Sequence, residues 1–216
     1  MSSYFLNALL ICEGLAALIA VLKYKSYTEK YQKYFSVYLV FIFLSELFGK
    51  ITHLVDLTTI NQQYFQYVVI PIEYLFFYWF YFIQTQNKVY KKLILGQSIL
   101  YIFFVVLEAF STKISSFLSL SYMLGSLWLL LIVLHNIFEL IKNENLIDVK
   151  NNPTLYISIG LLIFYIGSFP FYGLKNYLWK NYKFIGHNYW YVAIALNCIM
   201  YCMFTISYLC KNKPKY

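Results

Sequence analysis

The sequence predicts an all-α fold: a polytopic membrane protein, a bundle of seven transmembrane helices with the N-terminus outside and the C-terminus cytoplasmic. Three observations lead there. First, of 216 residues 61% are hydrophobic and only 12% charged, against roughly 45–50% and about 25% in soluble domains. Second, the apolar stretches recur along the whole chain, so residues 1–216 form one integral membrane unit with no separate hydrophilic domain. Third, the lysines are unevenly shared among the linkers, which fixes an orientation.

Seven stretches approach the ~20 residues that a helix needs to cross ~30 Å of hydrocarbon. They run over 4–24, 34–56, 64–84, 92–111, 117–141, 154–174 and 187–210. The first lacks a basic leading region and carries Glu13 at its middle, which argues against a cleaved signal peptide. The third, YFQYVVIPIEYLFFYWFYFIQ, holds Pro71 and Glu73 at its centre. The fourth is the span whose insertion is least sharply marked, because Lys91, Lys92, Glu108 and Lys113 crowd its ends. The sixth follows Asn152-Pro153, a helix start signal. Ten-residue alternating segments, the mark of a β-barrel, are absent from the sequence.

All 17 basic residues are Lys. Twelve stand in the linkers after spans one, three and five and in the tail, four on the opposite side, and Lys50 lies inside span two. The bias places the tail and the 142–153 linker in the cytoplasm and suits the cell (inner) membrane. With no Arg for bidentate phosphate contacts, the charge of +8 reads as membrane orientation, and no nucleic-acid partner is expected. The four Cys (12, 198, 202 and 210) lack a CxxC pair and read as small apolar packing residues. No HExxH, GxSxG, haem, flavin or phosphate-loop signal is present, so neither an enzyme, a metal site nor a cofactor is expected.

The informative residues are those that hydrocarbon disfavours. A carboxylate at the bilayer centre costs at least ~2.5 kcal/mol on insertion scales, so each must be compensated or used. Glu46 and Lys50 are spaced i, i+4 in the favoured order for an ion pair, and His53 continues the stripe. Gly49 beside them admits a close helix neighbour. Glu13, Glu46 and Glu73 lie near the centres of spans one, two and three, with Asn197 near that of span seven. Short linkers make those first spans antiparallel neighbours, so the carboxylates are expected to meet. Three carboxylates against one Lys cannot all stay ionised cheaply in low dielectric; a proton or a cation must compensate. The competing reading makes Glu46–Lys50 a structural pair and the other acids helix–helix glue. Pro71 should free the carbonyl of Tyr67 and kink span three beside Glu73, and Pro170 marks a second kink in span six.

Residues 151–174, NNPTLYISIGLLIFYIGSFPFYGL, and 71–82, PIEYLFFYWFYF, resemble the seven-helix sensor-type membrane modules common in Bacteroidetes, some fused ahead of sensor histidine kinases. That resemblance implies a sensory role. The chain departs from them in ending at Tyr216 without an output domain, which implies signalling through a partner.

The leading expectation is therefore a stand-alone seven-helix sensor or receptor-like protein. Glu46, Lys50, His53 and Glu73, with Glu13 and Asn197, would line a polar pocket open to the outside. The lipid bilayer and a membrane-protein partner, or a second copy, complete it. The alternatives are a small proton, cation or solute transporter or channel, and a structural accessory subunit or membrane-perturbing effector. Single-cysteine labelling in intact cells tests the orientation. The 142–153 linker should be shielded from an impermeant thiol reagent until the membrane is opened, and immediate labelling would invert the topology.

Overall fold

The computed structural model describes residues 2–27, 29–111, 117–143 and 149–210, and these are helical with short connections and no strand. Helix α1 runs over Ser2–Lys23 and α2 over Lys30–Leu54. The short α3, Thr58–Tyr64, continues through a π-helical turn, Phe65–Val69, into α4, Ile70–Gln84. Then follow α5 (Lys88–Ser111), α6 (Ser119–Asn143), α7 (Pro153–Gly173), the short α8 (Lys175–Asn181) and α9 (Lys183–Leu209). Among the described residues seven helical segments are long and apolar enough to cross a membrane, and they match the stretches expected from sequence. The third is longer than expected, spanning Thr58–Gln84, because the polar TTINQQ stretch stays helical.

Local chemistry sets several of these bounds. Asn152 accepts the Thr154 N–H at 3.0 Å, and Pro153 opens α7 where its missing N–H costs nothing. After α2 the chain reverses at Asp56, whose φ of 56° lies in the left-handed region that a short polar side chain tolerates. The Leu57 N–H then reaches back to the Thr52 carbonyl at 2.9 Å and closes the helix end. Glu108 at the end of α5 accepts from the Leu120 and Ser121 N–H groups at 3.0 and 2.7 Å and from the Ser121 hydroxyl at 2.6 Å. A carboxylate thus satisfies the first free donors of α6, where the helix dipole favours negative charge.

Around the bundle α1 packs on α2 and α9, α9 on α7, α7 on α6, and α4 on α2, α5 and α6. Helix α5 is the least enclosed, and Leu93, Ile99, Phe103 and Phe110 stand exposed along it. Such a surface is stable against lipid tails and not against water.

Helix α4 carries a run of fully enclosed rings, with Tyr74, Phe77, Tyr78, Phe80 and Tyr81 all at 1% exposure or less. Phe76 stacks on Tyr38 of α2 at 4.3 Å, Phe77 meets Phe204 of α9 at 6.2 Å, and Tyr74 meets Tyr101 of α5 at 5.1 Å. A content of 24 Tyr would by itself point to rings anchored at the membrane–water boundary. The largest fully buried side chains are instead tyrosines, headed by Tyr74, Tyr78, Tyr81, Tyr101 and Tyr165. A buried hydroxyl needs a partner. Tyr78 donates to the Gly125 carbonyl at 2.8 Å, Tyr74 to the Tyr122 carbonyl at 3.3 Å, and Tyr81 pairs with Ser158 at 2.8 Å. One turn on, Thr154 donates to Gln84 at 2.9 Å. Positions 74, 78, 81 and 84 fall on one helix face, so a seam of hydroxyl bonds joins α4 to α6 and α7.

Lys175, just beyond α7, lies over the rings of Phe117 and Tyr172 at 4.2 and 5.5 Å. Burial lowers its pKa to about 8, while the rings favour the charged form. Beside it Asn176 accepts the Phe117 N–H at 3.2 Å and donates to the Phe117 carbonyl at 2.8 Å. This clamp holds the chain entering α6 against the start of α8.

Close approach of α7 and α9 depends on Gly160. A Cβ there would lie 3.1 Å from Met203 Cβ and 3.2 Å from the Met200 carbonyl oxygen. Gly160→Ala should cost about 1–3 kcal/mol through overpacking, whereas Gly96→Ala, with nothing within 4 Å, should be neutral or gain up to about 1 kcal/mol. Unfolding in detergent micelles, compared for the two variants, checks the contrast.

Candidate functional site

Three spans each bring a carboxyl group toward the bundle centre. Glu13 of α1 is 2% exposed, and Glu46 of α2 and Glu73 of α4 are partly buried. Their charges act on one another: Glu13 feels Glu46 and Glu73, and Glu46 feels Glu73. Sequence spacing placed them at similar depth, and the packing of α1 on α2 and of α2 on α4 brings them within electrostatic reach.

Their hydrogen bonding differs sharply. Glu73 accepts from the Tyr165 hydroxyl at 2.8 Å, which ties α4 to α7. Glu13 has both carboxyl oxygens buried without a hydrogen-bond partner among the described residues. The Tyr38 hydroxyl and Asn197 Oδ1 are in the same condition. Tyr38 of α2 lies within electrostatic range of Glu73 and Glu13, and Tyr201 of α9 within range of Glu13, Tyr38, Glu73 and Glu46. Asn197 stands one turn before Tyr201 on the same helix. The site is thus three carboxyl groups within a shell of tyrosine hydroxyls.

The cationic part of the expected constellation lies elsewhere. Glu46 and Lys50 form no ion pair; Lys50 Nζ donates to Asn7 Oδ1 of α1 at 3.0 Å, among exposed groups. The i, i+4 spacing permits the pair, but near the end of α2 a long flexible stem carries the ammonium away from the apolar core. His53, a turn further, is exposed and does not join the carboxyl groups. Gly49 does admit a close neighbour, since a Cβ there would meet the Phe65 ring at 3.0 Å and Asn61 Oδ1 at 3.1 Å. Of the residues singled out from sequence, the structure gathers Glu13, Glu46 and Glu73, sets Asn197 on the adjoining helix, and separates Lys50 and His53 from them.

The prolines act differently from a simple kink. Ahead of Pro71 the helix widens into the π-helical turn, with the Ile70 N–H bonded to the Phe65 carbonyl, and helical backbone continues through Val69 and Ile70. A π turn of this kind absorbs the irregularity without breaking the helix. Pro170 is exposed and sits in the last turn of α7, so any bend it causes falls at the helix end and not in mid-span.

Sequence reasoning missed Tyr165, whose hydroxyl bonds Glu73, and Tyr38, Tyr172 and Tyr201, which lie within electrostatic range of the carboxyl groups. The available signal was spacing: Tyr38 lies two turns before Glu46, and Tyr201 one turn after Asn197. Cys12 interacts with Cys198 and Cys202 across the α1–α9 contact, and all the described thiols are free. No three His, Cys, Asp or Glu side chains among the described residues converge closely enough to hold a metal ion. At the far end of the bundle His135 stacks on Tyr90 at 3.7 Å and lies 3.3 Å from Glu139, a separate and half-buried pair.

Compared with known proteins, the chain matches no family model and finds no significant match among curated proteins or solved structures.

Proposed function

We propose that this is a multi-pass sensor or receptor-like protein in which proton or cation occupancy of Glu13, Glu46 and Glu73 biases the packing of α1, α2, α4 and α9. A membrane partner, or a second copy, reads that packing. The observation that carries the proposal is Glu13, buried in an apolar bundle with neither oxygen hydrogen-bonded among the described residues. A carboxyl group so placed is costly for packing alone. It becomes useful if its charge state changes with a ligand, because a ligand shifts a conformational equilibrium only by binding the two states unequally. The resemblance to sensor-type modules supports the same reading, and the lysine bias among the linkers supports a C-terminus in the cytoplasm at the inner membrane.

A second reading, a small proton or cation transporter, draws on Glu73, bonded to Tyr165, and on the separate polar pairs at Tyr78, Tyr81 and Gln84 spaced along the same helix. Flux in proteoliposomes separates the two. The sensor reading predicts no proton or cation flux above empty liposomes, with thermal stability that depends on pH and loses that dependence in Glu13→Gln or Glu73→Gln. Flux that disappears in Glu46→Gln and Glu73→Gln, with folding intact, would establish transport and end the sensor reading. Stability indifferent to pH, with variant losses that follow only partner assembly, would leave a structural subunit.

A further inference from the structure

Between α1 and α2 the surface of the bundle recedes into a groove of about 610 Å³. Leu10, Gly14, Leu18 and Val21 of α1 and Val40 and Phe43 of α2 line it, and all of its lining residues are apolar. Gly14 lets the Phe43 ring settle close to α1, since a Cβ there would lie 3.0 Å from it. Leu18 and Val21 are 55% and 54% exposed, so the groove is open to whatever surrounds the bundle.

Its dimensions narrow the occupant. The volume falls within the ~300–1,000 Å³ of small-molecule sites. From Leu10 to Val21 the helix rises about 17 Å, close to one leaflet of a hydrocarbon core of ~30 Å. A further transmembrane helix would need the whole ~30 Å. An acyl chain reaches through one leaflet only.

Charge at the end of the groove narrows it further. Residues 23–33, KYKSYTEKYQK, lead from α1 into α2 and carry four Lys against one acid, Glu29. The lining stripes of both helices run into these lysines. On α1, Tyr24 and Lys25 follow Val21 by one turn; on α2, Lys33 precedes Val40 by two turns on the same face. Lys33 Nζ stands 6.0 Å from the centre of the Tyr24 ring, which brings the α2 lysine to the end of α1. Orientation in the membrane accounts for lysines on this side of the bundle. It does not account for an apolar recess that leads to them from both helices.

We infer that the α1–α2 groove binds an anionic phospholipid, its acyl chain along Leu10–Val21 and its phosphate at Lys25 and Lys33. Lysines at the membrane surface attract anionic headgroups, and Tyr24 supplies a ring suited to headgroup level. The site is independent of the carboxyl cluster, because Glu13 is turned into the bundle while the groove faces outward.

The test is electron paramagnetic resonance of chain-labelled lipids around the purified full chain in phosphatidylcholine bilayers. Spin-labelled phosphatidylglycerol should be motionally restricted with a relative association constant about fivefold above that of spin-labelled phosphatidylcholine, the order expected of one lysine at a headgroup. The preference should approach parity in the double variant Lys25→Gln, Lys33→Gln and at high salt, and persist in Lys91→Gln, Lys92→Gln. Leu18→Trp, which fills the groove from an exposed position, should abolish it with every lysine in place; Val21→Trp replaces that variant if it does not fold. Equal association of the two lipids with the wild type overturns the inference. So does a preference that survives both the lysine and the tryptophan substitutions, which would put the anionic lipid elsewhere on the chain. A wild-type dimer that Leu18→Trp dissociates, without lipid preference, would give the groove to a second copy and overturn it as well.

Discussion

A polar group buried in hydrocarbon has no water to turn to, so its partner must come from the protein. That constraint explains how α4 is used. Its tyrosines would each leave a hydroxyl stranded if they packed only as large apolar rings. Set one turn apart on one face, they reach the Gly125 and Tyr122 carbonyls and the Ser158 hydroxyl, and each bond fixes the register of α4 against α6 or α7. Between helices bathed in lipid there is little hydrophobic drive for association, so such bonds and close small-residue contacts carry the specificity. Gly125 serves both purposes: its carbonyl accepts from Tyr78, and its missing side chain leaves room for the rings of Tyr74 and Tyr101.

The same rule makes the Glu13 region stand out. Glu73 conforms to it through Tyr165, and Glu108 conforms by capping α6. Glu13, Tyr38 and Asn197 carry buried oxygens without a hydrogen-bond partner among the described residues, as do Asn61, Gln97 and Asn136, but Glu13 alone leaves both oxygens of a carboxyl group so. The π-helical turn before Pro71 lies on the span that carries Glu73, so an irregular stretch of backbone adjoins the cluster.

Hydropathy and charge are local properties, so the spans could be read from the chain within a few residues at most boundaries, and the start of α7 at Asn152-Pro153 followed from its cap. The third span began earlier than hydropathy indicates because TTINQQ is polar yet helical. The meeting of Glu13, Glu46 and Glu73 was legible because short linkers force neighbouring spans to be antiparallel. What escaped was non-local. Lys50 chose Asn7, some forty residues away, over the Glu46 one turn before it. Composition alone points tyrosines to the membrane boundary, whereas their one-face spacing along α4 marks a buried seam. The capping of α6 by Glu108 needed the geometry of a turn that no spacing rule describes.

The central claim is that Glu13 sits in the dry core of the bundle beside two further carboxyl groups. Carbodiimides of opposite solubility, followed by peptide mass spectrometry, test it most directly. A lipid-soluble reagent should modify Glu13, while a water-soluble one leaves it intact under conditions that modify Glu29 or Glu139. Equal modification of Glu13 by both reagents would place it in water and contradict the account.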